Sequence, residues 1–177
     1  MIESLIVHLR NFKKQNNLQD PNVWNGYFLD YCKPHMVRLF RQIDSENYLY
    51  LHKLMLCEER DVYPHLHKWP CAVAILDGIY EMSMGYVDDE GNNKMLSKHI
   101  VNTSDIYEIT NPDALHGIRP VNTSSISAML RGPEFDKSML STGHHKWFDK
   151  QPKPGTPVIL TYDQKSKFLG EFSKCLA

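Results

Sequence analysis

The 177-residue sequence predicts a mainly β domain, a sandwich or barrel preceded by two or three N-terminal helices. Two observations carry that prediction. From Tyr48 to Leu130, short apolar runs alternate with Pro- and Gly-bearing joints at roughly ten residues per strand and turn. Ahead of them, apolar residues recur at three- and four-residue spacing, the period of an amphipathic helix. Hydrophobic residues make up 42% and charged residues 23%, ordinary for one globular domain that buries a single core. The chain divides into a helical part (1–45), a core barrel (46–136) and a C-terminal extension (137–177).

Residues 1–16 read as a helix through Ile2, Leu5, Ile6, Leu9 and Phe12. Asp20-Pro21 is a helix-start signal, a capping carboxylate followed by proline at the first helical position. Val23, Trp24, Tyr27, Phe28 and Tyr31 then form one apolar stripe that ends before Pro34, and the stripe reads as core packing. An apolar and basic segment, Met36–Ile43, leads into the strands. These are expected at Tyr48–Cys57, Cys71–Leu76, Ile79–Val87, Lys94–Val101, Ile106–Ile109, His116–Val121 and Ser125–Leu130, with Asp77-Gly78 as a hairpin turn and a polar turn at Asp88–Asn93. Beyond them, residues 143–157 read as loop and Val158–Tyr162 as an edge strand.

A net charge of −1 gives no basis for a nucleic-acid or anionic-membrane partner. No apolar run approaches the ~18 residues of a membrane span, and the N-terminus has no secretory pattern. Cys32, Cys57, Cys71 and Cys175 are scattered, which fits free thiols in a reducing cytoplasm and excludes paired-cysteine zinc sites. A monomer or weak oligomer is expected.

Any metal must therefore be held by histidine or carboxylate. His65-x-His67 puts two imidazoles on one face of an extended segment, because side chains of a strand alternate. His116 opens a strand 49 residues beyond His67. Together the three form a facial ligand set with open coordination positions, the mark of a catalytic metal site. His144 and His145 are adjacent, diverge if extended, and read as surface residues.

His65-x-His67-x3-Cys71-x6-Gly78 has the spacing of the first cupin motif, with cysteine where cupins usually place a glutamate ligand. Pro112-x3-His116 resembles the second motif, one residue short and without its glycine. Cysteine at the glutamate position resembles the thiol dioxygenases, in particular the cysteine dioxygenase family. Lys53–Cys57 resembles the strand before the metal motif, and Ser125–Asp136 the strand that ends in a proline-phenylalanine turn. The likeness covers about residues 38–136 and implies a cupin jelly-roll barrel.

The resemblance also implies Fe(II) as cofactor, with zinc, nickel or manganese as substitutes, and a small carboxylate-bearing thiol with O2 as substrates. It places His65, His67 and His116 as metal ligands and Cys71 behind them. Arg41, sixteen residues before Cys57, falls where the family has its carboxylate-binding arginine. Arg131 is the second candidate for that role, since a guanidinium fork matches a carboxylate. The competing readings are a helix-end charge for Arg41 and an ion pair with Asp113 or Glu134 for Arg131. The sequence departs from the family where it has a serine-histidine-tyrosine set: here stand Ser127, Met129 and Arg131, and Leu39 replaces a tyrosine. A non-oxidative metal-binding cupin and a metal-dependent isomerase or hydrolase are the alternatives.

Overall fold

The computed structural model describes all residues except 13, 15, 151–154 and 177. Helix α1 (Ile2–Phe12) opens the chain, followed by strands β1 (Asn25–Leu29), β2 (Met36–Gln42) and β3 (Tyr48–Leu54). Then come β4 (Cys71–Asp77), β5 (Tyr80–Val87), β6 (Asn93–Val101), β7 (Ile106–Ile109), β8 (Ala114–Pro120) and β9 (Ser125–Arg131). Helix α2 (Thr142–Lys150), β10 (Val158–Ile159) and helix α3 (Tyr162–Cys175) complete it.

All strand pairs are antiparallel. One sheet has seven strands in the order β10-β1-β2-β3-β9-β4-β7, and the second has three in the order β6-β5-β8. The larger sheet is buried on both faces, which is why Cys71–Ile75 and Ser125–Leu130 are near-continuous apolar runs. Its outer face (Leu39, Leu49, Leu51, Ala72, Ala128, Leu130) packs against Leu5 and Phe12 of α1 and Phe168, Leu169 and Phe172 of α3. Phe12 and Phe172 meet edge to face at 4.8 Å. Its inner face (Tyr50, Leu54, Val73, Ile75, Met129) meets Tyr80 and Met82 of β5. The result is an antiparallel β-sandwich with α1 and α3 on the outer face of the larger sheet and α2 beside β5.

Four expectations are corrected. The stripe from Val23 to Tyr31 is not a helix: Asp20 caps only a 3-10 turn, Pro21–Val23, and β1 follows. Its residues are aromatic and β-branched with Gly26 at the centre, so strand preference wins over a coincidental helical spacing. Met36–Ile43 supplies β2, so residues 1–45 hold one α-helix and two strands. Asp77-Gly78 makes no hairpin, because β4 and β5 belong to different sheets; the pair carries the chain from one to the other, with Gly78 at φ +80°. In the tail, α2 occupies much of the expected loop, and α3 begins at Tyr162 behind a Thr161–Gln164 capping box. No described helix is long and apolar enough to cross a membrane.

Candidate metal centre

His65 and His116 exchange both backbone hydrogen bonds across an isolated antiparallel bridge, His65 N to His116 O at 2.7 Å and His116 N to His65 O at 3.1 Å. A pair bonded in this way projects its side chains to the same face. The segment before His65 reaches β8 because Gly117 has no side chain: a Cβ there would meet Val62 Cγ1 at 2.8 Å. His67, two residues on, returns to the face of His65.

The three rings converge through Nε2. His67 Nε2 stands 2.9 Å from His116 Nε2, which stands 3.2 Å from His65 Nε2. Burial holds all three imidazoles neutral, aided by the neighbouring rings at His67 and His116 and by Arg38 at His65: His65 is pushed down to about 4, His67 to about 3, and His116 well below its ordinary value. His65 and His67 are partly exposed where they line the cavity between the sheets. Two nitrogens bound at right angles, each about 2.1 Å from one ion, stand about 3.0 Å apart. Both separations from His116 match, and all three ligand atoms lie within 4.8 Å of one another. Without a cation, three convergent imidazole nitrogens satisfy one another poorly, and the residues fit a divalent first-row metal held by three neutral nitrogens.

Around the ligands, the backbone of Tyr63 hydrogen-bonds the His65 ring. Cys71 Sγ lies 3.5 Å from His67 Nδ1, and burial pushes its thiol up to about 12, so it is a protonated thiol behind the ligand. Such partners fix the tautomer and direction of a metal-bound imidazole. Leu66, between the first two ligands, and Leu115, before the third, share an apolar cluster with Val87 and Trp147 of α2. Trp147 stacks on Tyr63 at 5.9 Å. His144 of α2 is buried, not a surface residue, and its Nδ1 lies 2.9 Å from the Pro112 carbonyl.

The histidines open on a cavity of about 530 Å³ between the sheets. Its floor is made of cross-strand rows of the larger sheet. One runs Arg38, His52, Ser127, Ile75; the next runs Phe40, Tyr50, Met129, Val73, Tyr107. Arg38 donates from Nε to His52 Nε2 at 3.2 Å, and its guanidinium lies 5.5 Å from the Tyr50 ring centre. Burial, then Arg38, keeps His52 neutral. No carboxylate among the described residues makes an ion pair with Arg38. Tyr80 and Tyr107 add two phenols whose pKa burial raises, Tyr80 to about 12, so both stay neutral. The Tyr80 hydroxyl lies beside Ser127 and Tyr107 yet makes no well-formed hydrogen bond.

Arg41 and Arg131 are not in this cavity. Arg41 is three residues from Arg38 and therefore on the opposite face of β2, in a row with Leu49, Leu130 and Ala72. Its guanidinium sits 6.0 Å from the Trp24 ring centre. Arg131 lies between Trp69, at 4.2 Å, and Tyr48, at 4.9 Å, and makes no ion pair with Asp113 or Glu134. Arg38 was missed in the sequence because the motif offset pointed to Arg41; the two-residue phase groups Arg38 with Met36 and Phe40 but does not say which face of β2 meets the cavity.

Neither a family model nor a curated protein sequence matches the chain. Among solved structures it is similar to hydroxypropylphosphonic acid epoxidase from S. wedmorenis, at 13% identity, TM-score 0.49, over 63% of this chain and 56% of that one. A structure of Fe(II) HppE aligns at 12% identity and TM-score 0.41, over 53% of this chain and 50% of that one. KdgF from Halomonas sp. aligns at 18% identity and TM-score 0.42, over 59% of this chain and 84% of that one. The match spans little more than half the length of the epoxidase. At such distances the chemistry of the site rests on its own residues.

Proposed function

We propose that the chain is a mononuclear non-haem iron enzyme of the thiol dioxygenase type. It joins both atoms of O2 to the sulfur of a carboxylate-bearing thiol, giving a sulfinate. The observation that supports this most is the pairing of three convergent neutral imidazoles with Arg38, a part-buried guanidinium with no carboxylate ion pair among the described residues, in one cavity.

His65, His67 and His116 would hold Fe(II), which when bound would supply a redox-active Lewis acid whose charge favours the thiolate over the thiol. Arg38 takes the substrate carboxylate. Its Nε is turned toward His52, which orients the guanidinium and, being neutral, leaves its charge for the substrate. Cys71 holds the His67 ring from behind. The apolar wall of Val73 and Met129 limits water around the reacting sulfur. Arg41 and Arg131 have no part in substrate binding in this reading; Arg38 takes the role expected of them.

Met129 and Arg131, where the family has histidine and tyrosine, favour the second reading, a metal-binding cupin without oxidative turnover. Oxygen uptake by the Fe(II)-loaded protein separates the two, using carboxylate-bearing thiols against cysteamine, with labelled O2 traced into the product. Uptake with carboxylate-bearing thiols and incorporation of both oxygen atoms is expected. Bound iron with no uptake for any thiol sinks the dioxygenase.

A further inference from the structure

We infer that the cavity takes a single-headed amphipathic anion: one carboxylate at Arg38, carried on an aromatic or comparably broad apolar body. The inference deepens the proposed reading, since it rests on the cavity being the substrate site, and it narrows the substrate away from cysteine-sized thiols.

Size is the first argument. A three-carbon thiol acid displaces on the order of four waters, at about 30 Å³ each. The cavity, at about 530 Å³, is several times larger and falls in the range that encloses ring-bearing ligands. A small thiol leaves most of that space to water.

Charge is the second. No aspartate or glutamate lines the cavity, whereas Lys33, Arg38 and Lys68 do. Lys33 is already paired with Asp61 at 2.9 Å. Arg131, the residue that could have offered a second inward guanidinium, is stacked between two aromatic rings instead. Lys68 is not free either, so Arg38 is the part-buried cation that makes no carboxylate ion pair among the described residues, and it calls for one anion.

The walls are the third. The cavity lining includes Tyr31, Tyr50, Trp69, Leu29, Met36 and Ile118, a surface of rings and aliphatic chains. Tyr31 is 37% exposed and marks the open side. A flat apolar body between these rings removes apolar area from water at about 25 cal/mol per Å², while a polar thiol acid gains nothing from them.

The test uses metal-free protein and ligands without sulfur: propionate, 3-phenylpropionate and neutral 2-phenylethanol, followed by calorimetry. Binding of 3-phenylpropionate at least tenfold tighter than either fragment is expected. Arg38→Gln should lose tenfold or more for 3-phenylpropionate and nothing for 2-phenylethanol, and Tyr31→Ala should weaken 3-phenylpropionate but not propionate. Arg131→Gln should change none of the three. If Arg38→Gln fails to fold, Tyr31→Ala and the ligand comparison carry the test unaided. Propionate binding as tightly as 3-phenylpropionate overturns the inference, as does an undiminished response in Tyr31→Ala. Failure of thiol oxidation beside tight 3-phenylpropionate binding would remove the dioxygenase and leave this assignment. Oxidation of 3-mercaptopropionate as efficient as that of 2-mercapto-3-phenylpropionate by the iron-loaded protein would do the reverse.

Discussion

Arg38 gives its Nε hydrogen to His52 Nε2 across 3.2 Å, so the cation on the cavity floor rests on an uncharged acceptor. Replacing that acceptor by a carboxylate changes the charge available to a ligand without touching the metal. His52→Glu should pair with Arg38 and raise KM for a carboxylate-bearing thiol about ten- to a hundredfold, the worth of a charge-assisted bond of roughly 1.5–3 kcal/mol. His52→Gln should keep KM within a few-fold. Steady-state kinetics beside metal analysis checks both; equal KM values for the two variants would remove Arg38 from substrate binding.

Metal content should be close to one first-row ion per chain and should fall sharply in His65→Ala, His67→Ala or His116→Ala. His144→Ala should keep its metal and lose stability, about 1–3 kcal/mol, because it strips a buried side chain from the Pro112 carbonyl. Elemental analysis and denaturant melts of the four variants separate the two kinds of histidine. Loss of metal in His144→Ala alone would contradict the assignment.

Acid should destabilise the metal-free protein. His65 and His67 hold folded values near 4 and 3, below the ordinary 6.5, so between pH 6.5 and about 3 the unfolded chain binds protons that the folded chain refuses. Stability therefore falls as pH drops through that window, by up to about 1.4 kcal/mol per pH unit for each such group. Melting temperatures from pH 7.5 to 4 provide the measurement, and the metal-loaded protein, whose ligated imidazoles also refuse the proton, should start from a higher stability and fall at least as steeply. A flat profile for the metal-free protein would mean that the rings are hydrated.

Cys71 should be silent until the protein unfolds. Its buried thiol, pushed to about 12, offers almost no thiolate at neutral pH. Iodoacetamide should label it only in denaturant, and the intact mass should match the unmodified sequence, since the residue opposite Cys71 on β9 is Arg131 and not a tyrosine. A peptide containing Cys71 that has lost two hydrogens would show that another phenol reaches it, with Tyr80 and Tyr107 the nearest candidates.

What the sequence disclosed followed from where polarity changes. The runs of β4 and β9, the β5–β6 turn and the His65-x-His67 face are legible because apolar runs and turn residues mark them directly. The inner arginine was not legible. Met36, Arg38 and Phe40 point one way and Val37, Leu39 and Arg41 the other, and both sets are largely covered, so alternation alone cannot say which arginine faces the cavity. Helix α3 was hidden for another reason. Phe168, Leu169 and Phe172 form a narrow apolar stripe on a mostly polar segment, and only the capping box at Thr161 announces it. Pocket partners such as His52 and Tyr107 depend on strand order, which no local pattern encodes.

The cluster of Tyr63, Leu66, Leu115 and Trp147 ties the two ligand-bearing segments to one helix that supplies none of the ligands. Trp147 is thus an external handle on an internal site. Changes along α2 can loosen or tighten the hold on the ligand-bearing segments while Arg38, Tyr50 and the other cavity residues of the larger sheet stay as they are. Retention of the cofactor and choice of substrate become separately adjustable, one from the C-terminal extension and the other from the sheet.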